Sequence, residues 1–509
     1  MLKFINNWWA KAITSGILTA VAVSHTNYIL GWICFVPLFI TLPGQQPKAA
    51  FKTGFLFGLA MSVIGFYWMI PGAERFTGNS VFYGIGVFLI SALFFSLFFG
   101  LVNFCLGILF IRQDKKNTIL LNSLVAACVY CIFEALLMFI SAGFPWFDYH
   151  TGYALIANLY FIQPVAFFGV YIISFIVILV NYLVAGFIIQ KQWIKLLMPA
   201  GVIIVYFFCG YFIFSVVSLD ESSLKTKPVT VAILSENIPP EVKWDDTTGN
   251  MLAGRLLDMT RTAVAIKPDI ALWSESAIPW TYKPNDDLVD SVIKITSPAH
   301  ITHIMGINTE VANNIVYNSA YCILPDGKVT GRYDKQVLLS LIEKPLGGKL
   351  IPFFSSNGFS AQSGGYGEPL NTPYGKAGIM ICNESAVPSA AYNPVKKGAQ
   401  FIMNMSNDGW FSDTYIVGLH FYNARLRAVE TRKDIVVNSN NGISGLIQAS
   451  GQIVSAKQST EAYVDNVIVH PNGWNTLVVE YPNLFIYCCL GLLAIILVFK
   501  FTVKSAISN

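Results

Sequence analysis

Charge is what this sequence has least of: 12% of its 509 residues are Asp, Glu, Lys or Arg, while 54% are hydrophobic and mean hydropathy is +0.55. A soluble fold cannot cover so much apolar surface with so few charges, so a membrane protein is expected. A basic face is lacking too. The net charge is only +4 and the Lys and Arg residues lie scattered between apolar runs, which argues against nucleic acid as a partner. No disulfide framework is visible: Cys34, Cys105, Cys128, Cys131, Cys209, Cys488 and Cys489 fall in apolar spans, where cysteine acts as a small hydrophobe, and the Cys128–Cys131 C-x-x-C reads as packing. Only Cys322 and Cys382 lie in the polar part of the chain. Metal and cofactor signatures are missing as well. His300 and His303 have no carboxylate motif beside them, and Gly347-Gly348 and Gly364-Gly365 lack a phosphate-loop pattern, so neither a metal nor a cofactor is expected. No convincing cleavage site follows Lys3 and Lys11, so the first apolar run reads as an uncleaved helix, and no internal repeat is evident.

Long apolar runs are what the chain does have. About 20 helical residues cross a bilayer, and candidate spans fall at 10–25, 28–43, 51–71, 80–111, 118–142, 161–189 and 194–218, with an eighth at 483–503. With the N-terminus inside, Lys3, Lys48, Lys52, Arg112, Lys115, Lys116, Lys191, Lys195 and Lys504 are all cytoplasmic, leaving Arg75 in the short external loops. The expected organisation is a transmembrane bundle over 1–220, an extracytoplasmic domain over 221–480, and a final helix with a cytoplasmic tail over 481–509. Glu134, inside a span, is costly in lipid and is expected to face protein or water.

The polar stretch reads as mixed α/β. Strand-like runs recur at Val229–Leu234, Ile270–Trp273, Ile304–Ile307, Ser319–Leu324, Gly378–Ile381, Phe401–Met405 and Ile435–Asn438, and Asp326-Gly327 signals a hairpin into Lys328–Tyr333. Helical patterns fall at Met251–Ile266 and Ile416–Thr431, which suggests layered sheets covered by helices. Residues 344–368 form a long loop of the kind that often serves as a lid.

Glu275, Lys335 and Cys382 each follow a strand-like run, where a sheet presents side chains to a cleft. Together they form a sufficient chemical set: a thiol to attack a carbonyl, a carboxylate to move its proton, an ammonium to hold the oxyanion. Individually each has a bland reading as a packed or solvated side chain, and spacing alone does not bring them together. His420, before the Arg425–Glu430 segment, could line the cleft but reads first as a structural histidine.

The segments Trp273-Ser-Glu-Ser-Ala-Ile-Pro279, Tyr333-Asp-Lys335 and Ile381-Cys-Asn-Glu384 resemble the signature stretches of the nitrilase superfamily, whose domains are αββα sandwiches. Such a domain set between apolar spans resembles the apolipoprotein N-acyltransferase family, as do Gly143-Phe-Pro-Trp146, Ile238-Pro-Pro-Glu-Val-Lys-Trp244, Ser406-Asn-Asp-Gly-Trp-Phe411 and Arg425-Leu-Arg-Ala-Val-Glu430. The resemblance implies Glu275 as general base, Lys335 as transition-state stabiliser and Cys382 as nucleophile, with Glu343 and Glu384 in support. It also implies substrate contacts from Trp146, Trp244, Trp410 and Asn383, although Phe144, Trp146 and Phe147 also suit interfacial anchoring.

The implied reaction transfers an acyl chain from a membrane phospholipid, through a Cys382 thioester, to the N-terminal amine of a diacylglyceryl-modified lipoprotein. The implied setting is the bacterial cytoplasmic membrane, multi-pass and monomeric, with the catalytic domain periplasmic. Two departures stand out: Gln336–Ile342 lacks the Pro and Gly usual in that loop, and Asn383 replaces a usual tyrosine. A membrane-tethered amidase or hydrolase, and a non-catalytic lipid-binding relative, are the alternative readings.

Overall fold

The computed structural model describes residues 7–77, 81–110, 118–141, 144, 149–239, 242, 244–245, 247–312, 315–340, 343, 360–365 and 367–508. Among the described residues four helices are long and apolar enough to cross a membrane: Val81–Leu109, Thr118–Ser141, Tyr171–Ile189 and Trp193–Ser222. A fifth results if Pro47–Gly65 and Met69–Arg75, bent by 52° at their break, form one span. Among the described residues, length and composition therefore support fewer spans than the eight expected. Trp8–Ser24 is only 17 residues long, Tyr28–Thr41 is a shorter apolar helix, and the closing helix Leu484–Ser508 has its apolar part at Leu484–Val498. Small residues let the helices approach closely. A Cβ at Gly54 would lie 2.2 Å from the Phe99 carbonyl oxygen and one at Gly58 2.6 Å from that of Phe95, so this G-x-x-x-G stripe seats Pro47–Gly65 against Val81–Leu109.

The span expected over 161–189 is helical in its regular part only from Tyr171. Before it, Thr151–Leu155 is a 3-10 turn, Val165–Phe168 a single helical turn, and Gly169 has φ +68°, which breaks the helix. Irregular backbone at membrane depth needs polar partners. Here they come from the polar half of the chain: Arg425 donates to the Ala157 carbonyl at 2.7 Å, and Arg432 to the Gln163 side-chain oxygen at 3.0 Å. Glu134 faces protein, as expected. Its carboxylate accepts from the Thr151 amide at 2.9 Å and pairs with His150 at 3.1 Å, both side chains 1% exposed.

Two sheets pack face to face over residues 229–469. The first runs, in spatial order, Tyr463–Val469, Val229–Ser235, Ile270–Leu272, Thr302–Ala312, Ser319–Ile323 and Val329–Asp334, parallel through its middle and antiparallel at both ends. The second runs Ile453–Gln458, Ile443–Ile447, Ile435–Asn440, Phe401–Asn407, Gly375–Ile381 and Leu370–Thr372, again with a parallel centre. Val231, Leu272 and Ile304 meet Ile379, Met403 and Val436 between the sheets. Helices Gly249–Ile266 and Asp287–Thr296 cover the outside of the first sheet, and Pro388–Lys396 and Ile416–Thr431 that of the second. The result is four layers, αββα.

Ile416–Thr431 is buried nearly all round because it is also the seam. Phe421, Ala424 and Ala428 pack on the second sheet, while Ile416, Leu419 and Val429 join the core of the bundle. Beside it, Phe411 lies edge-on to Trp68 at 5.3 Å, and the Tyr415 hydroxyl donates to the Gly65 carbonyl.

Candidate active site

The parallel strands end at the same edge, and their following residues meet there. After Ile270–Leu272 the chain turns at Ser276, φ +49°. It passes so close to Gly306 of the next strand that a Cβ there would sit 2.2 Å from the Ser274 carbonyl oxygen. That turn aims Glu275 inward, 8% exposed. Its Oε1 accepts from the Asn318 amide at 2.8 Å and lies 3.4 Å from Lys335 Nζ, while Oε2 accepts from the Asn407 main-chain N–H at 3.0 Å.

Lys335 follows the strand Val329–Asp334 and is 1% exposed. Its Nζ donates to Glu343 at 2.8 Å, and Glu343 is held in turn by the Leu339 N–H at 2.7 Å. The Asp326-Gly327 hairpin sets Ser319 opposite Asp334, so the next pair outward is Asn318 with Lys335, joined by the Lys335 N–H to the Asn318 carbonyl at 2.8 Å.

Cys382 is the first residue past Gly375–Ile381, part-buried, with φ +54°. A side chain in that left-handed region costs on the order of 1–2 kcal/mol, so the neighbours must impose it. Glu384 does much of this. One oxygen accepts from the Ile381 N–H at 2.8 Å and the Tyr333 hydroxyl at 2.9 Å; the other accepts from the Gln336 and Val337 N–H groups at 2.7 and 3.1 Å. The fully buried carboxylate thus staples the turn bearing Cys382 to the segment bearing Lys335. Asn383 adds to the staple, its amide donating to the Val337 carbonyl at 3.0 Å.

The charges are unequal. Burial, then the Lys335 and Glu343 charges acting in opposite directions, leave Glu275 titrating above the usual carboxylate range. Burial alone would discharge Lys335, but Glu343 and Glu275 outweigh it and raise its pKa, so it stays an ammonium. Burial, joined by the Glu275 charge, pushes the Cys382 thiol well up, with Lys335 opposing. At rest this is a thiol beside an elevated carboxylate and a fixed cation. Such a set can move a proton from sulfur to carboxylate as sulfur attacks a carbonyl, with the cation beside the developing oxyanion.

Residues 15–183 match the family model of the apolipoprotein N-acyltransferase N-terminal domain, and residues 230–481 that of the carbon-nitrogen hydrolases. Proteins named apolipoprotein N-acyltransferase match nearly end to end. That of Geobacter metallireducens is 26% identical over 98% of this chain and 96% of its own length, and that of Thermotoga maritima 26% identical over 96% and 92%. The chain belongs to the apolipoprotein N-acyltransferase family. It is accordingly a multi-pass membrane acyltransferase with a nitrilase-like domain. Among solved structures, the nitrilase-superfamily protein Nit3 of Saccharomyces cerevisiae aligns over 51% of this chain and 94% of its own, at 18% identity and a TM-score of 0.39.

Trp244 lies edge-on to Trp280 at 5.3 Å and packs with the helices outside the first sheet. Trp410 packs against the bundle, in the 3-10 turn Gly409–Phe411. Trp146 lies outside the described residues, as do most of residues 344–368. His303 is a core residue, bonded to Trp273 and Thr296 at 3.1 and 2.9 Å and held neutral by burial, its pKa pushed down to about 3. Asn318 went unsuspected in the sequence, although the hairpin register contained the signal. So did Asp408, which His420 joins at 2.9 Å; no local pattern distinguishes that pair.

Proposed function

We propose that the enzyme moves an acyl chain, expected to be the sn-1 chain, from a membrane phospholipid to the α-amino group of a diacylglyceryl-modified lipoprotein cysteine, through a thioester on Cys382. Glu275 takes the thiol proton as sulfur attacks the ester carbonyl. Lys335, with main-chain amides near Cys382, holds the tetrahedral oxyanion; Glu275 passes the proton to the departing glycerol oxygen, and lysophospholipid leaves as the alcohol. The lipoprotein amine then attacks the thioester, and Glu275 carries a proton from the amine nitrogen to the departing sulfur. Glu343 fixes the Lys335 ammonium; Glu384 and Asn383 keep the Cys382 turn in register with it. Trp146, Trp244 and Trp410 are proposed to contact substrate. Neither metal nor cofactor enters this scheme.

The observation that carries the reading is the Lys335 ammonium buried between Glu275 and Glu343 beside a thiol held at positive φ. The seam supports the lipid part of it, because the helix Ile416–Thr431 ties this site to apolar spans, and both substrates are lipid-anchored. In this proposal residues 1–220 and 481–509 form eight spans in the cytoplasmic membrane of a monomer. Residues 221–480 face the periplasm, and both termini are cytoplasmic.

The test is complementation of a bacterial strain lacking lipoprotein N-acylation. The wild-type gene restores N-acylated lipoprotein, seen by mass spectrometry, and Cys382→Ser does not. Release of free fatty acid without N-acylated product would instead make the enzyme a hydrolase.

A further inference from the structure

A second polar cluster adjoins the site and has no part in the scheme above. Asp408, 2% exposed, lies one residue beyond Asn407, whose N–H holds Glu275. Its carboxylate accepts from Ser406 Oγ and Ser439 Oγ, each at 2.9 Å, and faces His420 Nδ1 at 2.9 Å. Gly442 leaves room for this: a Cβ there would lie 2.5 Å from the Asp408 carboxylate. A carboxylate only accepts, so Nδ1 carries the proton of the neutral ring and Nε2 the lone pair. The cluster is close enough to Cys382 for the Asp408 charge to act on its thiol. It also stands at the membrane seam, where the His420 ring meets Phe411 edge-on at 6.4 Å and Phe411 meets Trp68 of the bundle.

The chemistry of the second half-reaction lacks a base. An α-amino group titrates at about 8 and arrives at neutral pH mainly as ammonium, which has no lone pair with which to attack. Glu275 is already committed to the proton that must reach sulfur. We infer that His420, oriented by Asp408, is the general base that deprotonates the acceptor's α-ammonium before it attacks the thioester. The balance is complete. One ammonium proton passes to His420 and on to solvent. The amine nitrogen then bonds to the acyl carbon, the C–S bond breaks, and the second nitrogen proton travels through Glu275 to sulfur. The products are amide, free thiol and one released proton.

This inference rests on the thioester reading, so the experiment separates the two half-reactions. Full-length enzyme is first loaded with phosphatidylethanolamine, and acyl mass on Cys382 is followed; a diacylglyceryl lipopeptide is then added and loss of that mass is timed. For His420→Ala and His420→Gln, loading stays within about threefold of wild type. Discharge slows by about 100-fold or more, the low end for general acid–base catalysis, and added imidazole partly restores discharge in His420→Ala. Wild-type discharge rates in both variants overturn the inference alone. Loading and discharge falling together without imidazole rescue also overturn it, in favour of a structural histidine. Wild-type enzyme that acquires no acyl group overturns the thioester reading and this inference with it.

Discussion

Buried charge is handled in two opposite ways in this chain. At the strand ends Lys335 meets two carboxylates, and the protonation of Glu275 and of Lys335 depends on the charges around them. Along the seam, Arg425 and Arg432 donate to oxygens that do not titrate: the carbonyls of Ala157, Gly451 and Ala449 and the Gln163 amide. Burial brings both guanidinium groups down to about 10, still cationic at neutral pH. The first arrangement responds when a proton or a substrate charge moves; the second holds two regions in register and has nothing to change. Catalysis and attachment are thus assigned to different partners of the same kinds of side chain.

Removing the base should break the responsive side most severely. Glu275→Gln keeps the shape and is expected to slow loading of Cys382 by about 10²–10⁴-fold, with thermal stability close to wild type. The same base fixes the pH dependence. Loading needs the Glu275 carboxylate free, and its pKa is raised, so the loading rate falls on acidification at a pH above the ordinary carboxylate value of about 4.3. Lys335→Met should cost about 10²–10³-fold in loading. It should also destabilise the fold by about 3–5 kcal/mol, because Glu275 and Glu343 are left facing each other, and thermal unfolding reads that second effect. Arg425→Met tests the other side: about 1–3 kcal/mol of stability is lost for orphaned carbonyls, while loading stays near wild type in the protein that remains folded. If Arg425→Met abolished loading without lowering Tm, the division between the two regions would fail.

The sequence carried the site better than its surroundings. Glu275, Lys335 and Cys382 were legible through the resemblance of their three surrounding segments taken together, not singly, and the helix Ile416–Thr431 was legible from end to end. The hairpin at Asp326-Gly327 was legible from its turn residues. The bundle was harder. Residues 161–170 are apolar, so hydropathy joins them to the next helix. Their burial, however, is largely against protein, and arginines more than 250 positions away bind the Gln163 side chain and the Ala157 carbonyl just before them. Hydropathy records how apolar a segment is, not what surrounds it. The strands Ile443–Ile447, Ile453–Gln458 and Tyr463–Val469 escaped notice because small or polar residues interrupt their apolar pattern. The His420–Asp408 pair escaped for a different reason: 12 positions and a helix start separate two residues that only the folded seam brings together.

The central claim is that Cys382 carries the acyl chain between two lipid substrates. Its most direct test is the intact mass and peptide map of purified enzyme after incubation with phosphatidylethanolamine of one defined chain length, in parallel with Cys382→Ala. The account predicts one added acyl chain, located on Cys382, sensitive to hydroxylamine and absent from the variant. An acyl chain on any other residue, or full transfer by Cys382→Ala, would contradict it.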